Sequence, residues 1–343
     1  MYTAVGYILE KDDGVGQSGT PRLRLMVLTS EKGWPYSWEE DEFIHDCYLN
    51  CEVERVWQIV KGDLTAWFSP HGGAYFTPDP CVLIGTPGIG NSMAASSYLL
   101  YQLLHYDVEK LQVVVHCFGK MAYVFDKITK TVTIYMGNTK SKIVLGGLRQ
   151  RGMKGYIIYD VAKKGTPPDT NFAPSTEWGM IVVSFPKVSN YDKWETQVRA
   201  SRIIMNCPDE MDVKAMCAWM KRGVKPDEQA EYWKKVEKHM DKVGPIPRHI
   251  FDEKIYIDRL GAVNGALPAI KPSDVEEYFT LGGEKKWYSE DQSHKLVKIV
   301  RVREDGAFED FSNAPICTYL GVLTLSRLAK VLSPHDIFFS YWG

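Results

Sequence analysis

One stretch limits what this chain can fold into more than any other: Cys81-Val-Leu-Ile-Gly-Thr-Pro-Gly-Ile-Gly-Asn-Ser-Met93. A short apolar run, Cys81 to Ile84, meets a glycine-rich turn. Leu99, Leu100, Leu103 and Leu104 then mark the apolar stripe of a helix over Ala94 to His105. Strand, glycine loop and helix, in that order, form the setting in which G-x-x-x-x-G-K-[ST] cradles phosphate. Gly85 and Gly90 take its two glycine positions and Ser92 its hydroxyl position. Such a loop works because backbone N–H groups converge on phosphate oxygens at a helix N-terminus, and glycine permits the close approach. The residues expected to hold a nucleotide are therefore Gly85, Thr86, Pro87, Gly88, Ile89, Gly90, Asn91, Ser92 and Met93, with Ser92 on a Mg²⁺ ion. One residue departs from the pattern: Asn91 stands at the lysine position, so the geometry of the motif is kept while its charge is lost. The alternative is a glycine turn that joins a buried strand to a helix and binds nothing.

Asp160 is the second chemical element. It ends the apolar run Tyr156-Ile-Ile-Tyr-Asp160, as expected of an acid that holds Mg²⁺ together with Ser92. A turn-capping acid is the competing reading. The next residue is Val161, so no glutamate follows to activate water. Ser184 closes the next apolar strand, Met180 to Phe185, where a hydroxyl would meet the γ-phosphate or the attacking water. Arg248 follows Gly244-Pro-Ile-Pro, which ends a helix sharply. An arginine there, on a small helical lid, would fold over the phosphates. Asp160, Ser184 and Arg248 are the catalytic candidates.

Composition removes several classes. The 343 residues are 45% hydrophobic and 24% charged, which fits a globular protein of two or three domains. A net charge of −2 supplies no global field for nucleic acid or membrane. Seven scattered cysteines, an odd number, suggest reduced thiols. His45, Cys47 and Cys51 lie close together, but no second pair stands at zinc spacing, so packing explains them better. The N-terminus lacks the order of a signal peptide. No run reaches the roughly 18 apolar residues of a membrane helix, so no membrane partner is expected.

Along the chain, Arg22 to Thr29 reads as a strand. Ser37 to Glu40 has capping-box spacing, and the helix pattern after it runs through Phe43, Ile44, Cys47, Tyr48, Cys51, Val56, Trp57 and Val60 to a stop at Gly62. Trp34, Trp38, Trp57 and Trp67 crowd this region as core. Leu111 to Val115 reads as a buried strand, and Tyr123 to Tyr135 as a hairpin turning at Lys127 to Lys130. Ile143 to Arg149 reads as a helix and Ile203 to Met205 as a strand, with helices over Asp209–Arg222 and Asp227–Val243. Alternating strands and helices predict an α/β fold with a mainly parallel sheet and ligands at the strands' carboxyl ends. Beyond it, Pro272 to Asp274 starts a helix-like segment and Leu320 to Leu332 forms an apolar helix. Lys298, Arg301 and Arg303, with Lys295, form a cationic strand that suits a nucleic-acid backbone. The apolar end, Asp336 to Trp342, reads as the place where a longer chain was cut. The expected regions are 1–79 (α+β), 80–222 (phosphate-loop core), 223–261 (helical lid) and 262–343 (α+β).

Gly85-Thr-Pro-Gly-Ile-Gly90, Gly155-Tyr-Ile-Ile-Tyr-Asp-Val-Ala-Lys-Lys-Gly165, Ile203-Ile-Met-Asn-Cys-Pro208 and Gly244-Pro-Ile-Pro-Arg248 resemble the retrotransposon hot spot proteins of trypanosomes over nearly the whole chain. The resemblance implies a P-loop NTPase core of the AAA-like and STAND-like kind, ATP or GTP with Mg²⁺, and a nuclear or perinuclear location. It also implies a role in chromatin, transcription or RNA handling, with chromatin- or RNA-associated partners. The family's loop usually has lysine where Asn91 stands, and its chains are often longer, which implies a short or truncated member here. The two functions to separate are an NTP-dependent switch in nuclear nucleic-acid processes and an assembly protein that kept the fold without the chemistry. A nuclease is a weaker third, since 262–343 lacks a clear Asp…Glu-x-Lys cluster.

Overall fold

The computed structural model describes residues 25–39, 44–69, 78–161, 167–174, 178–271, 295–303 and 309–331. The described chain forms two compact units, one built from 26–84 and 90–205, the other from 85–89 and the residues from 206 on.

The first unit is an α/β sandwich. Its centre is a seven-stranded sheet of β3 (Cys81–Gly85), β4 (Val113–Phe118), β5 (Met121–Asp126), β6 (Thr131–Met136), β7 (Gly155–Asp160), β8 (Trp178–Ser184) and β9 (Ser201–Met205), in the order β6-β5-β4-β7-β8-β3-β9. β4, β7, β8 and β3 run parallel, while β5 is antiparallel to both of its neighbours. The four parallel strands are buried along their whole length, which is why they read as continuous apolar runs rather than alternating ones. The hairpin β5–β6 turns at 127–130 as expected, with Lys130 left-handed at φ 55°. Besides two helices in its N-terminal part, α1 (Pro35–Glu39) and α2 (Cys51–Trp67), this unit holds α3 (Ser96–His105), α4 (Asn138–Gln150) and α5 (Asp192–Val198).

The N-terminal part of this unit differs from the sequence reading. The segment expected to be helical from Phe43 begins as a strand, β2 (Asp46–Leu49), antiparallel to β1 (Met26–Thr29), with Leu28 opposite Cys47. Only after it does helix α2 (Cys51–Trp67) start, capped by the Asn50 side chain, which accepts from the Val53 N–H at 3.1 Å. Gly62 does not stop α2. The buried stripe Val53, Val56, Trp57, Val60, Leu64 and Trp67 carries the helix past it, offsetting the ~1 kcal/mol cost of a mid-helix glycine. Ser37 is no N-cap either: it lies inside α1 (Pro35–Glu39), and its hydroxyl donates to the Trp34 carbonyl. Its intended partner Glu40 lies outside the described residues, as do Arg22, Phe43, Pro272 to Asp274 and Asp336 to Trp342.

The second unit holds α6 (Glu210–Met220), α7 (Pro226–Val243), α8 (Pro247–Ile250), α9 (Glu253–Ala266), the antiparallel pair β10 (Val297–Arg303) and β11 (Glu309–Pro315), and α10 (Thr318–Val331). Val213, Cys217, Val236, Met240, Val243 and Ile250 make its helical core. Asp209 caps α6 with a full capping box, and Gly244, at φ 86°, ends α7 where the sequence placed its stop. Among the described residues no helix is long and apolar enough to cross a membrane.

Candidate functional site

The site starts where β3 leaves the sheet. One strand, β8, stands between β3, which carries the glycine loop, and β7, which ends in Asp160. The carboxyl ends of these parallel strands thus bring the loop, Ser184 and Asp160 to one edge.

Gly90 is left-handed at φ 112°, and a Cβ there would lie 3.0 Å from the Ala94 Cβ. After it the chain does not enter an α-helix directly. The N–H groups of Ala94 and Ala95 both reach the Gly90 carbonyl, at 2.7 and 3.0 Å, and that of Ser96 reaches Asn91. The Ala94 bond reaches four residues back as in an α-helix, but those of Ala95 and Ser96 reach five, which makes Asn91–Ala95 π-helical, a form that concentrates at functional sites. The Cys47 thiol of β2 donates to the Met93 carbonyl at 3.4 Å. Burial first, then the Asp46 charge, pushes this thiol far above its ordinary range. Cys47 is therefore a packing residue, and among the described residues no group of three His, Cys, Asp or Glu is placed to hold a metal.

Ser92 and Asp160, paired in the sequence reading, are in contact. The Ser92 hydroxyl donates to one oxygen of Asp160 at 3.0 Å. The Ser96 hydroxyl donates to the other at 3.3 Å. Ser96 was not among the sequence candidates, yet it stands four residues after Ser92, the spacing of one helical turn. Asp160 is 2% exposed. Burial raises its pKa to about 7, against the two serine hydroxyls, which favour the carboxylate. Two hydroxyls and a carboxylate are the hard oxygen donors that suit Mg²⁺. The donor set fits the ion that the loop motif calls for.

Asn91 fits the motif less well. It is buried, and its amide donates to the Ser184 carbonyl at 3.4 Å. The side chain at the lysine position thus ties the loop to the end of β8. The Ser184 hydroxyl donates to the Phe185 carbonyl at 2.9 Å, so it serves its own turn. Val161 is buried and its N–H bonds to the Val183 carbonyl, so the position after Asp160 carries no base.

The first five loop residues belong to the second unit. Thr86 is buried, and its hydroxyl oxygen accepts from the Ile299 N–H of β10 at 3.1 Å. Gly88, at φ 92°, offers its carbonyl to the Arg248 N–H at 3.3 Å. A Cβ at Gly88 would come within 2.9 Å of Ile246 and 3.2 Å of Arg248. Ile89 is buried and Pro87 half-buried. Arg248 therefore reaches the loop through its backbone, at the start of α8. His249 beside it is held neutral, its pKa lowered to about 3 by burial and then by the charges of Arg259 and Arg248.

The cationic strand is not one face. Strand alternation sends Lys298 to the side opposite Arg301. Lys298 lines a cleft of about 490 Å³ with Asp209, Asp241, Cys317 and Tyr319. The Arg301 N–H bonds to the Asn206 side chain at 2.9 Å. Arg303 ends β10, and its side chain lies outside the described ones.

Comparison with known families agrees with this loop. The family described as retrotransposon hot spot protein, P-loop domain, matches residues 82–339. The family described as retrotransposon hot spot proteins, N-terminal, matches residues 1–79. No curated protein matches the chain.

Proposed function

The chain belongs to the retrotransposon hot spot protein family and carries its P-loop domain, and on that premise we propose that it binds ATP or GTP weakly, with Mg²⁺, and hydrolyses it slowly or not at all. The phosphates lie on the backbone of Gly85 to Met93. Ser92 and Asp160 hold the metal, and Ser96 orients the Asp160 carboxyl. Bound Mg²⁺ supplies the positive charge that Asn91 does not. Arg248 and Ser184 stand as the further phosphate contacts. The observation that carries this reading is the buried Asp160 carboxyl at the end of β7, held by the hydroxyls of Ser92 and Ser96. The resemblance of the loop and strand motifs supports the setting, namely chromatin, transcription or RNA handling in or around the nucleus.

A second reading has its own observation. The Asn91 amide and the Thr86 hydroxyl oxygen, both assigned to a ligand by the motif, are engaged with Ser184 and Ile299. A protein that keeps the fold for assembly alone would show this. Titration of labelled ATP and GTP with and without Mg²⁺ separates the two. Saturable binding that needs Mg²⁺ and is lost in Asp160→Ala supports the first reading. Absence of binding at millimolar nucleotide supports the second.

A further inference from the structure

The segment after Gly244 gathers positive charge in the second unit. Arg248 and His249 lie on α8, and Arg259 lies on α9, which packs on α8. Arg248 is anchored by its backbone, its N–H on the Gly88 carbonyl and its Cβ over Gly88. The Arg259 guanidinium donates from Nη2 to the Lys295 carbonyl at 3.3 Å, which fixes it between α9 and the entry to β10. His249 faces both charges. Its Nδ1 is buried and has no hydrogen-bond partner among the described residues. Buried polar atoms are normally paired, so this nitrogen calls for an explanation. Its surroundings are cationic: burial, then Arg259 and Arg248, lower the His249 pKa to about 3. Burial also lowers that of Arg259, to about 10. The first acids of α9 serve other partners. Asp252 accepts from the Ile255 N–H at 2.9 Å, and Glu253 pairs with Lys235 at 2.5 Å.

We propose that Arg248, His249 and Arg259 form an anion site that takes a phosphoryl group, the His249 Nδ1–H and the two guanidiniums donating to its oxygens. The chemistry of the cluster selects this class. A water molecule satisfies Nδ1 but leaves two like charges facing one imidazole. A carboxylate brings one charge and two oxygens. A phosphoryl group brings three acceptor oxygens and a charge of about −1.5 to −2, which matches three donor groups and two guanidinium charges. Guanidinium forks fit its oxygens in pairs. All three side chains belong to the second unit, so the site needs neither Ser92 nor Asp160 and goes beyond the nucleotide reading, with which it shares Arg248. Free phosphate and the terminal group of a nucleotide offer the same chemistry, and the experiment separates these two sources.

The test is equilibrium dialysis of the full chain against labelled inorganic phosphate without Mg²⁺, and against labelled ATP with it. Saturable phosphate binding is expected, weakened about tenfold or more in Arg259→Gln and in Arg248→Gln and unchanged in Asp160→Ala. Arg248 is exposed, so its variant tests the site even where Arg259→Gln fails to fold. The ring gives a direct readout. The ¹⁵N resonance of the His249 Nδ1, identified by its loss in His249→Gln, is expected to move with phosphate and to stay in place with chloride. Phosphate binding of this kind in a chain that takes no ATP supports the site while the nucleotide reading fails. If ATP binds and free phosphate does not, a tenfold loss of ATP affinity in both His249→Gln and Arg248→Gln assigns the phosphoryl group to the nucleotide. Affinities for both ligands that ignore these substitutions overturn the proposal, as does a chain that binds neither ligand or an Nδ1 resonance that moves with neither.

Discussion

Asp160 binds a proton more tightly in the folded chain than in the unfolded one, its pKa raised from 3.8 to about 7. For a carboxyl the sign follows directly. The folded state holds the extra proton between these two values, so stability contributed by the neutral acid is present below 3.8 and is lost as pH rises towards 7. Metal reverses the balance, because a cation favours the carboxylate. Binding of Mg²⁺-nucleotide at pH 7 is therefore expected to release roughly half a proton. Calorimetry in two buffers of different ionisation enthalpy reads this as a difference in apparent heat, and equal heats would mean that Asp160 is not a ligand. Asp160→Asn keeps the shape and removes the charge. At pH 8 it is expected to stabilise the nucleotide-free chain by about 1–2 kcal/mol while weakening Mg²⁺-nucleotide about tenfold or more. A merely structural acid would give the first effect without the second. Asn91→Lys restores the missing cation. Its attraction to phosphate at an effective dielectric of about 20 is up to ~4 kcal/mol, against a neutral hydrogen bond worth about 1 kcal/mol. Binding isotherms should tighten ten- to a hundred-fold, and turnover should stay slow because Val161 still offers no base. Unchanged affinity would show that the position faces β8 alone.

At the level of elements, β4 carries an unusual burden. His116 is fully buried, and among the described residues neither ring nitrogen has a hydrogen-bond partner. Burial lowers its pKa from 6.5 to about 4. A depressed histidine destabilises the fold as pH falls through 6.5, and the full penalty, about 3 kcal/mol at ~1.4 kcal/mol per pH unit, is reached near pH 4. His116→Leu removes that titration, so denaturant melts of native and variant should diverge between these pH values and run parallel above 7. The same elements show what the sequence made legible. β3, β4, β7 and β8 were readable because burial on both faces leaves unbroken apolar runs, and Asp160 was readable because it ends one of them. The π-turn was not, since it depends on N–H groups reaching five residues back, which no residue type dictates. β2 was misread because Cys47 and Cys51 stand at helical spacing, and only its pairing with β1, about twenty residues away, decides for a strand. Lys298 was grouped with Arg301 and Arg303 although its parity along the strand already separated them. Ser96 was missed because the motif stops at Ser92.

At the scale of the whole molecule, the loop's first half depends on residues far along the chain. Thr86 bonds to Ile299, 213 positions later, and Gly88 bonds to Arg248. Nothing local in Gly85-Thr-Pro-Gly-Ile89 announces either partner, so the loop reads as a free phosphate cradle although it is built into the second unit. The strength of that hold can be measured, because the molecule contains its own control. Gly88 and Gly137 share a φ of 92°, but a Cβ at Gly137 meets nothing within 4 Å, whereas one at Gly88 meets Ile246 at 2.9 Å and Arg248 at 3.2 Å. Gly137→Ala, at φ 92° and ψ 139°, therefore reports positive-φ backbone strain without a clash, about 1–3 kcal/mol. Gly88→Ala adds to its own positive-φ strain an overpacking against Ile246 and Arg248 of about 1–3 kcal/mol. Denaturant unfolding should show that excess, and a nucleotide titration should show binding lost in Gly88→Ala and kept in Gly137→Ala. If both alanines cost the same and both bind, the segment after Gly244 does not hold the loop, and Arg248 loses its claim to a place at the phosphates.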